Sequence, residues 1–467
     1  PHPRRTFQSS LDPPPTTVLR SLCAGKKGGA VHISRPMRVH RPADPDYANA
    51  LASLNRRFQP TLGQEQSVAG ILAEVRERGD AALLDFNSRF DGVTFSRPED
   101  LRVSVADLAA AADQVPEEDR AAIAASRDNV TAFARQSLRR DWSSRNAQGA
   151  EVGERFLPLE RVGIYVPGGS APLVSTANMT VALAAAAGVP EIVVCTPPQK
   201  DGGINPSLLY ALHAAGATEV YKVGGAQAIA AMGLGTDTLA PVQKIYGPGN
   251  SWVVEAKRQM FGLVGIDLLP GPSEVVVLSD ATGRPDWIAA DLLAQAEHGG
   301  DSIMGLITDS EALLSGVMAE IERQAATLSR QQQLQKVIAA GCWFVLVPSM
   351  TEGVALVNAF APEHVLLVAA EEQAMVDAVR TAGAIFVGNH SPVAVGDFLA
   401  GPSHELPTGG AGKAFPGLTV DQFQRRTSIV RLDADAIKAS APLVAAFARM
   451  EGLDAHGRSA TIRVDHP

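Results

Sequence analysis

From residue 161 onward the chain repeats one pattern: a short β-branched or apolar run, an alanine-rich stretch of helical length, then another short run. Runs at 162–166, 191–195, 219–223, 244–246 and 274–278 keep this rhythm, and those at 303–307, 343–347, 365–368 and 384–387 resume it. Parallel strands cannot be joined by tight turns, so this alternation requires parallel strands linked by helical crossovers. The expected class is α/β, with two Rossmann-like doubly wound parallel-sheet domains, an N-terminal helical region and a small C-terminal tail module. Helical spacing at Val68, Ile71, Leu72 and Val75 marks the region ahead of the first strand. The expected first α/β domain takes 37–160 and 275–417 and carries the chemistry. Residues 161–274 form the second, and 418–467 form a tail that packs against something else.

Composition narrows the partners. With 46% hydrophobic and 19% charged residues over 467 positions, the chain is globular as a whole. Its 50 acidic against 41 basic side chains give a net charge of -9, which repels a phosphate backbone, so nucleic acid is not an expected partner. The longest apolar stretch, 181–189, is about half of what a membrane span needs. Cys23, Cys195 and Cys342 form no Cys-x-x-Cys pair, and a reducing, cytoplasmic setting is expected. The first 36 residues are basic, contain three consecutive prolines and lack apolar periodicity, so they read as a disordered extension. Two origins fit them: a reading frame extended upstream of Met37, or a transit peptide, which would move the protein to a plastid.

Glycine-rich turns stand where strands hand over to helices: Pro167-Gly168-Gly169-Ser170, Gly224-Gly225-Ala226-Gln227 and Gly247-Pro248-Gly249-Asn250. In open α/β sheets this edge binds anionic ligands such as the pyrophosphate of a nucleotide cofactor, although glycines also serve simply to make tight turns. No G-x-G-x-x-G fingerprint is present. In WIAADLLAQAEHGG, Gln295 and His298 lie three apart at a helix end; in APEH, Glu363 and His364 stand side by side where Pro362 must stop a helix. A carboxylate and an imidazole so placed can take up a proton and activate a water. Asp397 and His404 follow in a Gly/Pro-rich loop, and Glu451 and His456 in the tail. Two histidines with oxygen ligands make a metal site, for which Mn, Mg and Zn compete on ligand chemistry alone.

Together these segments closely resemble the histidinol dehydrogenase family. The resemblance runs from about Met37 to Val464 through YVPGGSAPLVSTANMT, VGGAQAIA, GPGN, GPSE, QAEHG, APEH, GDFLAGPSHELPTGG and EGLDAH, in family order. It implies NAD-dependent, four-electron oxidation of L-histidinol to L-histidine through the aldehyde. It implies that Gln295, His298, Asp397 and His456 hold one Zn2+ per subunit, with His456 coming from the other subunit of a homodimer. Glu363 and His364 would be the acid/base pair. Ser273, His404 and Glu451 would contact the substrate, beside the metal ligands and His364, and Tyr165, Gln227 and Asn250 would contact NAD. A thiol route is not expected, because Cys195 and Cys342 lie in apolar strands. The rival readings are a sister dehydrogenase for another amino alcohol or a sulfonated diol, a metal-dependent hydrolase or lyase, and a non-catalytic binding protein.

Overall fold

The computed structural model describes residues 37–55, 62–168 and 172–465; the expected disordered extension, and Gly169 and Ser170 of the first glycine-rich turn, lie outside them. In chain order the strands are β1 (Arg38–His40), β2 (Trp142–Arg145), β3 (Glu151–Pro158), β4 (Arg161–Tyr165), β5 (Glu191–Thr196), β6 (Glu219–Lys222) and β7 (Lys244–Tyr246). They continue as β8 (Gly265–Ile266), β9 (Glu274–Ser279), β10 (Ile303–Thr308), β11 (Cys342–Leu346), β12 (His364–Val368), β13 (Ala384–Val387) and β14 (Gln424–Arg431).

Two of the three sheets are parallel, as the alternation requires. One has the order β6-β5-β4-β7-β8 and the other β1-β11-β10-β9-β12-β13. Side chains alternate across each strand, and both faces are covered by helices, so the central strands are largely apolar. Val275, Val277, Leu306 and Leu366 face one core of the six-stranded sheet, and Val276, Leu278, Ile307 and Leu367 face the other. Ile192 and Val194 likewise face one side of the five-stranded sheet, and Val193 and Cys195 the other.

The third sheet, β14-β3-β2, is antiparallel and did not register in the chain's pattern. It ties the tail to the body, because β14 pairs with β3 from Gln424–Pro158 to Arg431–Glu151. Leu418, Val420 and Phe423 are buried in the core of the five-stranded sheet, and Phe423 stacks on Tyr246 with 4.0 Å between ring centres. Beyond β14 the tail is a helical pair, Ala434–Glu451 and Asp454–Asp465.

The helices Leu62–Arg78 and Glu117–Ser137 differ from the expected domain plan. Val68, Leu72 and Val75 of the first, and Ile123, Val130 and Ala134 of the second, pack into the two cores of the five-stranded sheet. Of the N-terminal part, β1 joins the six-stranded sheet, at its edge beside β11. Helical periodicity defines an apolar face but not the sheet that it will cover.

Packing between neighbouring strands is tight enough to specify residue size. Gly305 on β10 lies opposite Trp343 on β11, and a Cβ at 305 would stand 2.3 Å from the indole. Gly305→Ala is therefore expected to cost about 1–3 kcal/mol by overpacking, read as a lower melting temperature. The loss should shrink when Trp343 is also changed to Leu; equal losses in the two backgrounds would refute the contact as its cause.

Candidate active site

The helix Met350–Phe360 ends at Ala361, a non-glycine residue at φ 54 whose N–H donates to the Val357 carbonyl at 2.8 Å. Pro362 then prevents helical continuation, and the chain turns straight into β12, whose first residue is His364. Glu363 and His364 are both buried, at 6% and 4% exposure. Both are held by the backbone of Glu274, at the start of the adjacent strand β9. The Glu274 N–H donates to Glu363 Oε2 at 2.8 Å, and His364 Nδ1 lies 3.1 Å from the Glu274 carbonyl oxygen. A carbonyl only accepts, so Nδ1 carries the hydrogen and Nε2 keeps its lone pair. Burial, reinforced by the charges of Asp397 and Glu405, holds the Glu363 carboxyl well above the usual carboxylate range. Burial pushes His364 down to about 4, against the pull of Asp397, so its imidazole is neutral near pH 7.

Three more side chains converge on this pair. Asp397 Oδ1 is 3.6 Å from His364 Nε2, and Asp397 Oδ2 is 3.8 Å from His298 Nε2. His404 Nδ1 lies 2.9 Å from the Asp397 carbonyl oxygen, to which it donates, and His404 Nε2 is 3.4 Å from both Glu405 Oε1 and Thr176 Oγ1. Burial opposes charge on His404, yet Glu405 and Asp397 together raise its pKa. Burial likewise opposes ionisation of Asp397, and the nearby His298 with the neighbouring imidazoles overcomes it, so its pKa falls. Asp397 rides on the helix Val393–Phe398, whose first N–H donates to Asp291 Oδ1 at 3.0 Å. Asp291 lies one turn before Gln295 on the helix Pro285–Ala296, so this bond sets the two helices side by side. His298 is in the turn just past that helix, its N–H donating to the Gln295 carbonyl at 3.3 Å.

Gln295 is 2% exposed, and its side-chain Nε2 has no hydrogen-bond partner. An orphaned buried amide beside an imidazole and a carboxylate fits part of a divalent-cation donor set. Among the described residues, however, no group of three or more His, Cys, Asp or Glu side chains is arranged to hold a metal ion. Glu451 and His456 do not complete it within this chain. They are exposed on the C-terminal helical pair, and neither side chain makes a hydrogen bond or ion pair among the described residues. Ser273, half-buried, directly precedes Glu274, and its carbonyl accepts from the Ile303 N–H at 2.9 Å.

The residues expected to touch a cofactor lie at the carboxyl edge of the five-stranded sheet. Tyr165, the last residue of β4, accepts the Gly225 N–H at its hydroxyl at 3.0 Å; burial pushes that phenol up to about 12, against the effect of this bond. Gln227 is buried in the first turn of the helix Gly225–Leu234. Asn250 caps the helix Ser251–Met260, accepting the N–H groups of Trp252 and Val253 at 3.0 and 3.2 Å. Burial pushes the Cys195 and Cys342 thiols far up, which removes them as nucleophiles.

Reading the sequence missed several participants. Glu274 and Glu405 stand inside the quoted GPSE and PSHE segments, and their charge next to buried positions was the available signal. Asp291 in WIAADLLAQAEHGG carried the same signal, whereas nothing local marked Thr176 or Asp91. Burial raises the Asp91 carboxyl to about 6; one of its oxygens has no partner, and its charge bears on Tyr165.

A buried carboxyl–imidazole pair at the start of a parallel strand, with two parallel sheets covered by helices, defines the class as an α/β protein with a candidate acid/base site. The chain belongs to the histidinol dehydrogenase family, oxidoreductases of the last steps of histidine biosynthesis: that family's model matches residues 54–464. It is 44% identical over 403 residues to the histidinol dehydrogenase of Rhizobium meliloti, covering 85% of this chain and 91% of that one. It is 42% identical over 414 residues to that of Geobacillus kaustophilus, covering 88% and 97%. The crystal structure of histidinol dehydrogenase from Elizabethkingia anophelis superposes with a TM-score of 0.87 at 32% identity, covering 92% of this chain and 98% of that one.

The raised carboxyl of Asp91 has a signed consequence for stability. From the ordinary carboxylate value up to about 6, the native state keeps a proton that the unfolded chain has released, so stability is lost as pH rises through that window. Asp91→Asn should therefore be more stable than the parent at about pH 7.5 and equal to it near pH 4. Urea unfolding at both pH values checks this, and a gap that does not change with pH would place the penalty elsewhere.

Proposed function

We propose that this chain oxidises L-histidinol to L-histidine through L-histidinaldehyde with two NAD+, as a cytoplasmic homodimer that shares tail residues between subunits. The observation that carries the reading is the buried Glu363–His364 pair, anchored on Glu274 and opening on Asp397. Family membership supports the reaction class.

The overall change is RCH2OH + 2 NAD+ + H2O to RCOO− + 2 NADH + 3 H+. The chain must therefore accept protons repeatedly and activate one water. His364, neutral and with its Nε2 lone pair turned toward Asp397, takes the hydroxyl proton as hydride leaves the adjacent carbon. When ionised, Glu363 is a stronger base than an exposed carboxylate, because burial has raised it. It takes a proton from the water that adds to the aldehyde carbon, and His364 then accepts the gem-diol proton. Tyr165, Gln227 and Asn250 would hold NAD+, which would supply the two-electron acceptor. Gln295, His298 and Asp397, with His456 reached from the other subunit, would hold one zinc ion, which supplies a Lewis acid that orients the substrate. Ser273, His404 and Glu451 would contact histidinol.

The exposed tail supports sharing between subunits. Leu443, Phe447 and Met450 on the helix Ala434–Glu451 are 51%, 62% and 68% exposed, with Leu453 close behind at 40%. An apolar face of this kind marks an association surface. Glu451 and His456 sit at its end without side-chain partners among the described residues.

The direct test is NADH formation from L-histidinol, with two equivalents per substrate consumed; no NADH, or orders-of-magnitude preference in kcat/KM for another alcohol, would overturn the reading. His364→Asn and Glu363→Gln should each lower turnover about 100- to 10,000-fold while leaving the fold intact, with Glu363→Gln accumulating trappable aldehyde. Unchanged rates in either would remove that residue from the chemistry. Separately inactive His456→Ala and His298→Ala subunits, mixed and reassociated, should regain part of the activity. Verified heterodimers that stay inactive would rule out sharing of His456.

A further inference from the structure

Beneath the cofactor edge lies an ion pair that the chemistry above does not use. Lys257 and Asp267 are ion-paired with side chains 0% and 1% exposed. Charges withdrawn this far from water are stabilised by further hydrogen bonds to the charged heads. Here one residue takes a bond from each. Gly247 donates its N–H to Asp267 Oδ2 at 2.8 Å, and its carbonyl accepts from Lys257 Nζ at 2.8 Å.

Gly247 has no substitute at this point. Its φ is +105, and a Cβ there would stand 2.1 Å from the carbonyl oxygen of Tyr165. Asp267 is delivered just past β8, its own N–H donating to the Ile245 carbonyl at 3.2 Å. Lys257 comes from the helix that Asn250 caps. The pair thus fastens the end of β7, the exit of β8 and the helix Ser251–Met260 to a single residue. That residue abuts Tyr165 on one side and leads into Asn250 on the other.

We propose that Lys257 and Asp267 are positioning residues for the dinucleotide: their clamp on Gly247 preorganises loop 247–250, and so Asn250 and Tyr165, for NAD+. This rests on the cofactor reading proposed above. With neither charged head exposed, the pair acts through the loop rather than by touching the ligand. Preorganisation lowers the ordering cost of binding, so its loss weakens affinity without removing a contact.

The test compares two double variants with the parent, because a single substitution would leave a buried charge unpaired. Lys257→Met with Asp267→Asn keeps the volume and the acceptor for the Gly247 N–H but removes the donor to its carbonyl. It should unfold cooperatively and bind L-histidinol within twofold of the parent. Its NAD+ dissociation constant, by calorimetry, should rise about tenfold or more, and amide exchange in the 244–250 peptide should quicken. Lys257→Gln with Asp267→Asn restores a donor and should recover part of the affinity. A folded Met/Asn variant that binds NAD+ within twofold of the parent overturns the inference and leaves the cofactor reading standing. Equal NAD+ losses in the two double variants also overturn it, since charge rather than the clamp would then matter. A parent protein that binds no NAD+ overturns the cofactor reading, and this inference with it.

Discussion

The backbone of one residue organises the candidate site. The backbone of Glu274 gives its N–H to Glu363 and its carbonyl to His364, while the Glu274 side chain accepts the Gly409 N–H at 3.0 Å. These bonds join the start of β9, the junction before β12 and the loop after Asp397, three segments far apart in sequence. They also settle the chemistry of the imidazole, because a hydrogen fixed on Nδ1 leaves Nε2 as the basic atom. Burial does the rest, moving the carboxyl up and the imidazole down until the two titrate on opposite sides of the roles that they hold in water.

The second organising region is the segment after Asp397, which bridges the two parallel sheets. Ser403 Oγ donates to the Met179 carbonyl at 2.9 Å, Asn129 Nδ2 donates to the Leu399 carbonyl at 2.9 Å, and His404 meets Thr176. Met179 and Thr176 belong to a helix on the five-stranded sheet, whereas Asp397 belongs to a helix packed beside the six-stranded one. The Glu363–His364 cluster and the five-stranded sheet are therefore connected through this short run of backbone.

Much of this was legible in the chain. Strands at 244–246 and 384–387 were read to the residue: 384–387 is a continuous apolar run between two glycines, and 244–246 is stopped by Gly247. The pair Glu363–His364 stood out because an acid and an imidazole had no other reason to lie at a helix stop, and Asp397, His298 and His404 do gather around it. What escaped was set by distant partners. β14 is exposed and mixed in composition, and only its pairing with β3 makes it a strand. Helices 62–78 and 117–137 carry an apolar face whose matching sheet is not written in their own periodicity. Glu274 acts through its backbone, to which side-chain identity offers no clue, and Glu451 and His456 remain outside the cluster formed by one chain.

The two thiols in the described body of the protein have a further bearing on its chemistry. Cys195 and Cys342 are enclosed in opposite sheets, and burial keeps them protonated. Peroxides and alkylating agents thus find no sulfur anion there to attack. A catalyst of electron transfer can in this way leave its own covalent framework out of the redox traffic that it directs.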